Sequence, residues 1–317
     1  MSTRAHAGNS SASARSRRVR SLLGIESLAT EEILALLKLA RRMNPAKPRP
    51  LLRKRRVALL FYEASTRTRV SFEVAAQALG ATTTLIQAKS SSIEKGESLI
   101  DTGYALQATG ADVLVIRHPA SGAPHLLARH LDIPVINAGD GMHEHPTQAL
   151  LDAYTLLRHR KSLSGLRVAM VGDIYHSRVA RSNIHLLSRF GAQITLCGPP
   201  ELAPDVAATL VPGLRLSRHL DEALRGTDVI LMLRVQKERL AGLKVRTSDY
   251  IAGYQLTAER LKLARRDALV LHPGPMVRGM ELTSEVADGP QSLIREQALN
   301  GVPVRMAILA MVLGGGR

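Results

Sequence analysis

The sequence is poor in cysteine and in aromatic side chains. Its 317 residues include one cysteine, no tryptophan, three phenylalanines and six tyrosines. A single cysteine, Cys197, excludes a disulfide framework and any cysteine-based zinc site within one chain, and it favours a reducing cytoplasm. No apolar run reaches the roughly 20 residues that a membrane-spanning helix needs. The amino terminus has no apolar core after its arginines, so we expect no secretory signal.

Acidic residues are missing from two basic segments. Residues 1–20 carry five arginines and residues 41–56 carry eight Lys or Arg, which together supply most of the net charge of +16. The first segment is typical of a disordered tail or a transit peptide, and the second of a solvated loop. Such segments can attract RNA, a membrane surface or an acidic protein. With so few aromatic rings to stack bases, we do not expect a nucleic-acid partner, nor do we expect a membrane partner.

Short apolar runs and helical patterns alternate along the chain. The apolar runs are rich in β-branched side chains and bounded by turn residues or charges, and strands that alternate with helices form parallel sheets. We therefore predict an α/β fold of two doubly wound parallel-sheet domains, joined by a long helix after His145 and Pro146. The predicted strands are residues 57–62, 83–86, 113–116, 133–136, 168–171, 194–196, 229–233 and 269–271, and the predicted helices are residues 31–42, 70–79, 97–108, 148–158, 179–190 and 304–313.

Five residues after the first predicted strand combine three hydroxyls with two guanidinium groups. Residues 65–69 read Ser-Thr-Arg-Thr-Arg and precede a predicted helix. The amino end of a helix presents free backbone N–H groups and a positive dipole to an anion. Arg67 adds a fork that matches phosphate oxygens, and Ser65, Thr66 and Thr68 add neutral donors. The alternative is an N-capped helix with a basic first turn, but basic residues there oppose the dipole, so the pattern favours a phosphate site.

This cluster resembles a signature of the transcarbamoylases, enzymes that transfer a carbamoyl group from carbamoyl phosphate to an amine. Further segments of that family's pattern follow in order, and seven ordered motifs are far more specific than one short motif. Within the family, the chain is similar to the aspartate branch. The motifs are residues 65–69 (STRTR), 91–97 (SSIEKGE), 115–119 (VIRHP), 145–148 (HPTQ), 172–178 (GDIYHSR), 234–238 (RVQKE) and 272–275 (HPGP).

The resemblance implies that carbamoyl phosphate and L-aspartate give N-carbamoyl-L-aspartate and phosphate, the committed step of de novo pyrimidine biosynthesis. It implies no cofactor, and a cytoplasmic homotrimer with active sites shared between chains. A regulatory chain or a dihydroorotase as a further partner stays open. The expected division is a basic tail at 1–20, a carbamoyl-phosphate-binding domain at 21–150, an aspartate-binding domain at 151–298, and a C-terminal helix at 299–317 that returns to the first domain.

Carbamoyl phosphate requires a site that holds a phosphate dianion and polarises one carbonyl oxygen. Arg117 ends a predicted strand and can reach both groups. His145 begins the joining helix and can donate to the same oxygen, while Gln148 lies one turn later on the same face and can accept from the carbamoyl NH₂. By the resemblance, the catalytic residues are Arg67, Thr68, Arg117 and His145, and the carbamoyl phosphate ligands are these four with Ser65, Thr66, Gln148, Ser91 and Lys95.

Ser91 and Lys95 lie in a segment, residues 88–96, that is rich in serine and poor in apolar side chains. This composition is typical of a mobile loop, and the alternative is an ordinary solvated connection. In the family the matching serine and lysine reach into the neighbouring subunit's site, where the lysine touches both substrates. The resemblance therefore implies that Ser91 and Lys95 complete the site of another chain.

Aspartate brings two carboxylates, so the site needs further cations. Arg178 and Arg234 each follow a predicted strand of the second domain, which places both at its carboxyl edge. The resemblance assigns Arg178 to the α-carboxylate, and Arg234 with Gln236 to the side-chain carboxylate. The loop at 272–275 offers bare carbonyls that suit the attacking amine, and the ornithine branch has cysteine at the position of Pro273. The implied aspartate ligands are Lys95, Arg178, Arg234, Gln236, Pro273 and Gly274.

Two positions depart from the aspartate branch, and one trio of residues suggests a metal. Tyr175 stands where many members have lysine, and Gly274 stands where leucine or alanine is usual, so aspartate affinity is in question. His143 and His145 flank Glu144, but on a loop with no obvious third ligand this spacing does not predict zinc. We therefore predict no metal.

Two other functions stay open at this point. One is a transcarbamoylase for a different amino-acid amine. The other is a basic, non-catalytic protein that binds nucleic acid or serves as a scaffold. Formation of carbamoyl-aspartate by the purified chain separates the aspartate enzyme from both.

Overall fold

The computed structural model of the chain describes residues 21–87, 96–235, 242 and 245–314. The predicted basic tail at 1–20 lies outside these residues, as do Ser91, Lys95 and Gln236. The strands of the described part are β1 Arg56–Phe61, β2 Thr82–Gln87, β3 Val113–His118, β4 Val135–Asp140, β5 Arg167–Val171, β6 Gln193–Cys197, β7 Arg215–Ser217, β8 Val229–Met232 and β9 Leu269–Leu271.

These strands form two parallel sheets. The first has the strand order β2-β1-β3-β4 and the second has the order β7-β6-β5-β8-β9. Central strands are mostly apolar because helices cover both faces of each sheet, and in β1 every residue after Arg56 is buried. The predicted α/β class with two doubly wound sheets is confirmed.

Helices connect the strands and cover the sheets. Within the described residues, no helix is both long and apolar enough to cross a bilayer. The helices are α1 Thr30–Ala40, α2 Thr66–Ala78, α3 Leu99–Ala108, α4 Ala123–His130, α5 Pro146–His159, α6 Arg178–Arg189, α7 Leu220–Leu224, α8 Thr247–Tyr254, α9 Ala258–Leu261, α10 Ser284–Asp288 and α11 Ile294–Val312, with a short 3₁₀ helix at Asp205–Thr209.

Helix α5 joins the two sheets. Residues 146–156 of this helix are all buried, and α5 contacts β4 of the first sheet as well as α6 beside the second. Helix α11 then packs against α1, α2 and α5. The joining helix and the return of the C-terminal helix to the first domain are therefore as predicted.

The elements differ from the sequence predictions in two instructive places. Strand β4 extends to Asp140 because Asn137, a poor strand former, is fully buried and its amide donates to Leu23 O and Asp140 Oδ1 at 2.8 Å. Helix α11 begins at Ile294, ten residues before the predicted start. It contains Pro303, and a proline ordinarily marks a helix boundary. The expected domain boundary at 298/299 falls inside α11.

The topology positions the sequence motifs at one edge of each sheet. Strand β1 has β2 on one side and β3 on the other, so the chain runs from β1 to one side and then crosses from β2 to the opposite side. Strand β5 stands in the same position between β6 and β8. Ligands of doubly wound sheets bind outside the carboxyl ends of strands at such a switch point. Residues 65–68 follow β1, and Arg178 follows β5.

Candidate active site

A cavity of about 750 Å³ opens between the carboxyl edges of the two sheets. Its lining includes six arginines, whose guanidinium groups outnumber the two carboxylates, Glu63 and Asp173. The structure brings together here every predicted site residue that it describes. These residues are Ser65, Thr66, Arg67, Thr68, Arg117, His145, Gln148, Arg178, Arg234, Pro273 and Gly274.

The start of helix α2 forms one wall of the cavity. Ser65 is the N-cap residue, yet its hydroxyl makes no capping hydrogen bond, and the first turn contains no acidic residue. Thr68 is buried in the same turn. Burial and the neighbouring Arg234 lower the pKa of Arg67, and an anion between the two guanidinium groups relieves this repulsion. The geometry suits an anion better than a simple helix cap.

Arg117 and His145 line the cavity next to this turn. Burial and the neighbouring Arg178 lower the pKa of Arg117 to about 10, which leaves it charged at neutral pH. Burial and the same two arginines hold the pKa of His145 well below its usual value. The Thr147 hydroxyl lies 3.4 Å from His145 Nδ1, and we assign it as the donor. The neutral ring then carries its proton on Nε2, where it can donate to a substrate oxygen.

Buried Glu144 and Ser182 fix the backbone at His145. The Ser182 hydroxyl accepts from His145 N at 2.8 Å and donates to Glu144 Oε2 at 2.7 Å. Both oxygens of Glu144 also accept from Ile25 N, at 2.9 and 3.0 Å. Glu144 is therefore engaged in holding the loop, and it does not join a metal site with its two flanking histidines.

Asp152 sets the orientation of Gln148 from one turn below. Gln148 Nε2 donates to Asp152 Oδ1 at 2.8 Å, so Gln148 Oε1 is the atom able to accept from a carbamoyl NH₂. Gln297 Nε2 and Asn183 Nδ2 donate to the same carboxylate at 2.8 and 2.9 Å. Complete burial nevertheless raises the pKa of Asp152 to about 6. This network ties α5, α6 and α11 together beneath the cavity.

Arg178 reaches across the cavity to the first domain. Its Nη2 donates to Glu63 Oε2 at 2.6 Å, and Arg117 Nε lies 3.3 Å from the same oxygen. One carboxylate thus sits between two guanidinium groups that are predicted to bind substrate anions. Substrates that reach these arginines compete with Glu63.

The loop at 272–275 faces Arg67 and Arg234. Gly274 N donates to His272 Nδ1 at 2.8 Å, while His272 N donates to Gln297 Oε1 at 2.9 Å. Burial, together with the positive charges of Arg67 and Arg234, lowers the pKa of His272 to about 3, so this ring is neutral. The loop therefore has a fixed shape that does not change with protonation near neutral pH.

Gly274 is the position where an added methyl group should disturb the phosphate site. Its φ is +67°, and a Cβ there would lie 2.7 Å from Arg67 Cζ. We expect Gly274→Ala to raise the KM for carbamoyl phosphate by about tenfold, because displaced Arg67 loses roughly 1.4 kcal/mol of binding. Steady-state kinetics measure this change. Gly253→Ala in α8 is the control, since nothing lies within 4 Å of its added Cβ. Unchanged kinetics in Gly274→Ala would contradict the expected displacement of Arg67.

Several cavity residues escaped the sequence analysis. Glu63 stands two residues before the phosphate motif, but a single glutamate in this position has no sequence pattern that would mark it as a site residue. Arg305 is an isolated arginine in the apolar C-terminal helix, and this isolation is a signal that sequence could have provided. Its side chain is buried, and its guanidinium lies over the Phe72 ring. Tyr175, by contrast, is not among the described lining residues.

The chain matches two consecutive family models. Residues 20–158 match the carbamoyl-P binding domain of aspartate/ornithine carbamoyltransferase, and residues 164–312 match its Asp/Orn binding domain. The chain belongs to the aspartate/ornithine carbamoyltransferase family. The predicted transcarbamoylase resemblance is therefore confirmed.

Relatives and solved structures cover nearly the whole chain. The aspartate carbamoyltransferase catalytic subunit of Koribacter versatilis is 63% identical over 299 residues, 94% of this chain and 99% of that one. Aspartate transcarbamoylase from Trypanosoma cruzi, solved with carbamoyl aspartate and phosphate, matches with TM-score 0.82 and 34% identity, covering 92% and 95% of the two chains. Ornithine carbamoyltransferase from Pyrococcus furiosus matches with TM-score 0.85 and 29% identity, covering 94% and 98%. The backbone is common to enzymes for both amines, so side chains must select the amine.

Proposed function

We propose that this chain is an aspartate carbamoyltransferase, which transfers the carbamoyl group of carbamoyl phosphate to L-aspartate and releases phosphate. The observation that carries this assignment is the cavity between the sheets, whose lining has six arginines against two carboxylates. A 63% identical relative named aspartate carbamoyltransferase catalytic subunit supports the same reaction. We place the reaction at the committed step of de novo pyrimidine biosynthesis. The single buried cysteine, Cys197, fits a reducing cytoplasm.

In this reaction the first domain binds carbamoyl phosphate. The free hydroxyl and backbone N–H groups at the start of α2 face the phosphate together with Arg67. Arg117 and the Nε2 proton of His145 donate to the carbonyl oxygen, which becomes an oxyanion when the amine attacks. Gln148 Oε1 accepts from the carbamoyl NH₂ and fixes its plane. The C–O bond to phosphate then breaks, and the leaving phosphate, whose negative charge the arginines neutralise, takes the proton that the attacking nitrogen loses.

The second domain binds aspartate. We assign Arg178 to the α-carboxylate, and Arg234 with Gln236 to the side-chain carboxylate. When aspartate displaces Glu63 from Arg178, one carboxylate replaces another, so the exchange leaves no buried guanidinium unpaired. The carbonyls of Pro273 and Gly274 accept from the attacking amine and orient its lone pair towards the carbamoyl carbon.

Choice of amine is the direct test of this function. The purified chain is expected to form carbamoyl-aspartate and to favour aspartate over ornithine by about 10⁴-fold in kcat/KM, the scale at which unpaired buried polar groups reject a substrate. Ornithine brings an ammonium group towards Arg234, where aspartate brings its side-chain carboxylate. Product formation from each amine, measured by chromatography, decides the matter. Comparable rates with both amines would overturn the assignment and favour a transcarbamoylase of different specificity.

The dependence of rate on pH follows from the charges in the cavity. His145 is neutral above its lowered pKa, and Arg117, whose pKa is about 10, stays protonated to pH 9. Neither group therefore changes charge between pH 7 and 9, while the amine of aspartate progressively loses its proton. We expect kcat/KM for aspartate to rise over this range, in a protein shown to stay folded by circular dichroism. A decline from pH 7 to 9 would require an essential group that this site does not provide.

We further propose a homotrimer in which each active site draws residues from two chains. Apolar side chains are exposed on two adjacent elements of the first domain, with Val70 and Val74 of α2 at 39% and 37% and Leu85 of β2 at 39%. Strand β2 is an edge strand and ends just before the segment that carries Ser91 and Lys95. An edge with exposed apolar side chains suits contact with another subunit. A regulatory chain or a dihydroorotase would be an additional partner.

A further inference from the structure

A cluster of three possible metal ligands lies outside the catalytic cavity. His125 is in the first turn of α4, Asp140 ends β4, and His143 is in the turn that follows β4. One ligand atom from each side chain lies within 4.8 Å of those of the other two. No third ligand for His143 could be recognised from sequence, because His125 stands 18 residues earlier and reaches the turn only through the packing of α4 beside β4.

The carboxylate of Asp140 already has a fixed position. It is fully buried, and Oδ1 accepts from Asn137 Nδ2 at 2.8 Å and from Glu144 N at 3.1 Å. Oδ2 accepts from Gly122 N at 2.7 Å and lies 3.1 Å from His143 Nδ1. Three of the roughly four lone-pair directions of the carboxylate therefore face rigid donors. The fourth faces an imidazole nitrogen, and a metal ion can replace the proton that those two atoms share.

His125 supplies the observation that points to a ligand. Its Nδ1 is buried and has no hydrogen-bond partner among the described residues. The His125 and His143 rings meet edge to face with centroids 5.4 Å apart, so the two imidazoles are direct neighbours in the cluster. A buried polar atom without a partner costs about 1–3 kcal/mol, which coordination would recover.

We propose that His125, Asp140 and His143 form a binding site for a divalent transition metal of the zinc class. Two imidazoles and one carboxylate are ligands that zinc accepts, whereas magnesium prefers oxygen ligands alone. Ligand atoms on one tetrahedral zinc lie about 3.3 Å apart, given bond lengths of about 2.0–2.1 Å. The Asp140–His143 pair already meets this spacing, so His125 is the ligand that moves closer. His143 is 39% exposed, which leaves a route for the ion and room for a water as fourth ligand.

The hydrogen bonds to the Asp140 carboxylate favour this assignment. Asn137, Glu144 N and Gly122 N hold the carboxylate in the way that outer hydrogen bonds orient metal-ligating groups. Gly141 and His145, which flank His143 at two residues on either side, line the catalytic cavity. The proposed site is nevertheless separate from the reaction. Its test measures metal binding rather than turnover, so it can fail while the proposed activity stands, and the reverse also holds.

The experiment uses the full-length protein, freed of metal with a chelator and titrated with ZnCl₂ by calorimetry in a buffer that does not bind metals. Wild type is expected to bind one zinc ion per chain at this site, and His125→Ala and His143→Ala should each weaken binding by about a hundredfold or more. Loss of a residue that only orients a metal ligand costs about 10–100-fold in metal affinity, and loss of a ligand itself should cost at least as much. His130→Ala is the matched control, because His130 is an exposed histidine at the end of the same helix.

Two further measurements guard against a folding artefact. Zinc should raise the unfolding temperature of wild type and of His130→Ala, but not that of the two ligand variants. Cobalt in place of zinc should give the visible spectrum of tetrahedral coordination in wild type, and that spectrum should be lost in His143→Ala. The proposal is overturned if wild type binds no zinc at micromolar concentrations, or if the ligand variants bind it as tightly as the control.

Discussion

Replacement of Arg117 by alanine is expected to lower kcat/KM by about 10³-fold or more. Loss of one donor to a developing oxyanion typically costs 10²–10³-fold, and Arg117 is also positioned to neutralise the leaving phosphate. The variant further leaves Glu63 with Arg178 as its remaining partner, which favours occupation of Arg178 by Glu63 rather than by aspartate. Loss of the donor to the oxyanion and of the charge beside the leaving phosphate acts on the transition state and lowers kcat, whereas competition from Glu63 raises the KM for aspartate. We expect kcat to fall more than KM rises. Steady-state kinetics with saturating carbamoyl phosphate measure the loss.

Two variants separate this role from stability. Arg117→Lys keeps a positive charge but lacks the planar fork, so it should recover part of the activity and no more. Arg160 is the matched control, since its side chain is 19% exposed against 16% for Arg117 and it also pairs with a carboxylate, Asp267, away from the cavity. Arg160→Ala should lower the unfolding temperature and leave kcat/KM unchanged. If both alanine variants lost activity in proportion to unfolded protein, Arg117 would have a structural role alone.

The phosphate-binding turn could be predicted from sequence because its residues are consecutive. Ser65, Thr66, Arg67 and Thr68 occupy one turn, and the strand before them and the helix after them fix that turn locally. The strand-end arginines could be predicted for a related reason. In parallel sheets every strand points the same way. Arg117 follows the apolar residues of β3, so it lies at the same edge of the sheet as the phosphate-binding turn after β1.

The remainder of the site depends on packing between distant segments. Asp152 is an ordinary acidic residue in sequence, and its role appears only when Gln148, Asn183 and Gln297 converge on it. Glu63 likewise acquires its role from Arg178, which lies 115 residues later. Such pairs leave no periodic or local signal. The start of α11 differs from its predicted position for the opposite reason. Pro303 is a strong local signal for a helix boundary, and burial of the helix against α2 and α5 overrides that signal.

The second large expected effect follows from shared active sites. Enzymatic activity should return when two variants that are inactive alone are mixed. Arg67→Ala and Lys95→Ala should each be nearly inactive alone, because each removes a cation from every site. If Lys95 acts in the site of a neighbouring chain, a mixed trimer contains some sites with Arg67 from one chain and Lys95 from the next, both intact. Random reassembly of a one-to-one mixture in a closed threefold ring makes about a quarter of the sites complete. The mixture should therefore regain about a quarter of wild-type activity.

The matched control is a mixture of Arg67→Ala with Arg117→Ala. These two residues line the same cavity of one chain, so every site in that mixture keeps one defect and activity should not return. Native mass spectrometry must show mixed trimers in both experiments, because unmixed trimers would give no rescue for a trivial reason. Since Arg67→Ala and Arg117→Ala chains have the same mass, one variant of each pair carries a ¹⁵N label. Rescue in the first mixture and none in the second is the pattern that only a site built from two chains produces. If confirmed mixed trimers of Arg67→Ala and Lys95→Ala stay inactive, Lys95 serves its own chain's site or none, and the exposed apolar side chains of α2 and β2 need another explanation.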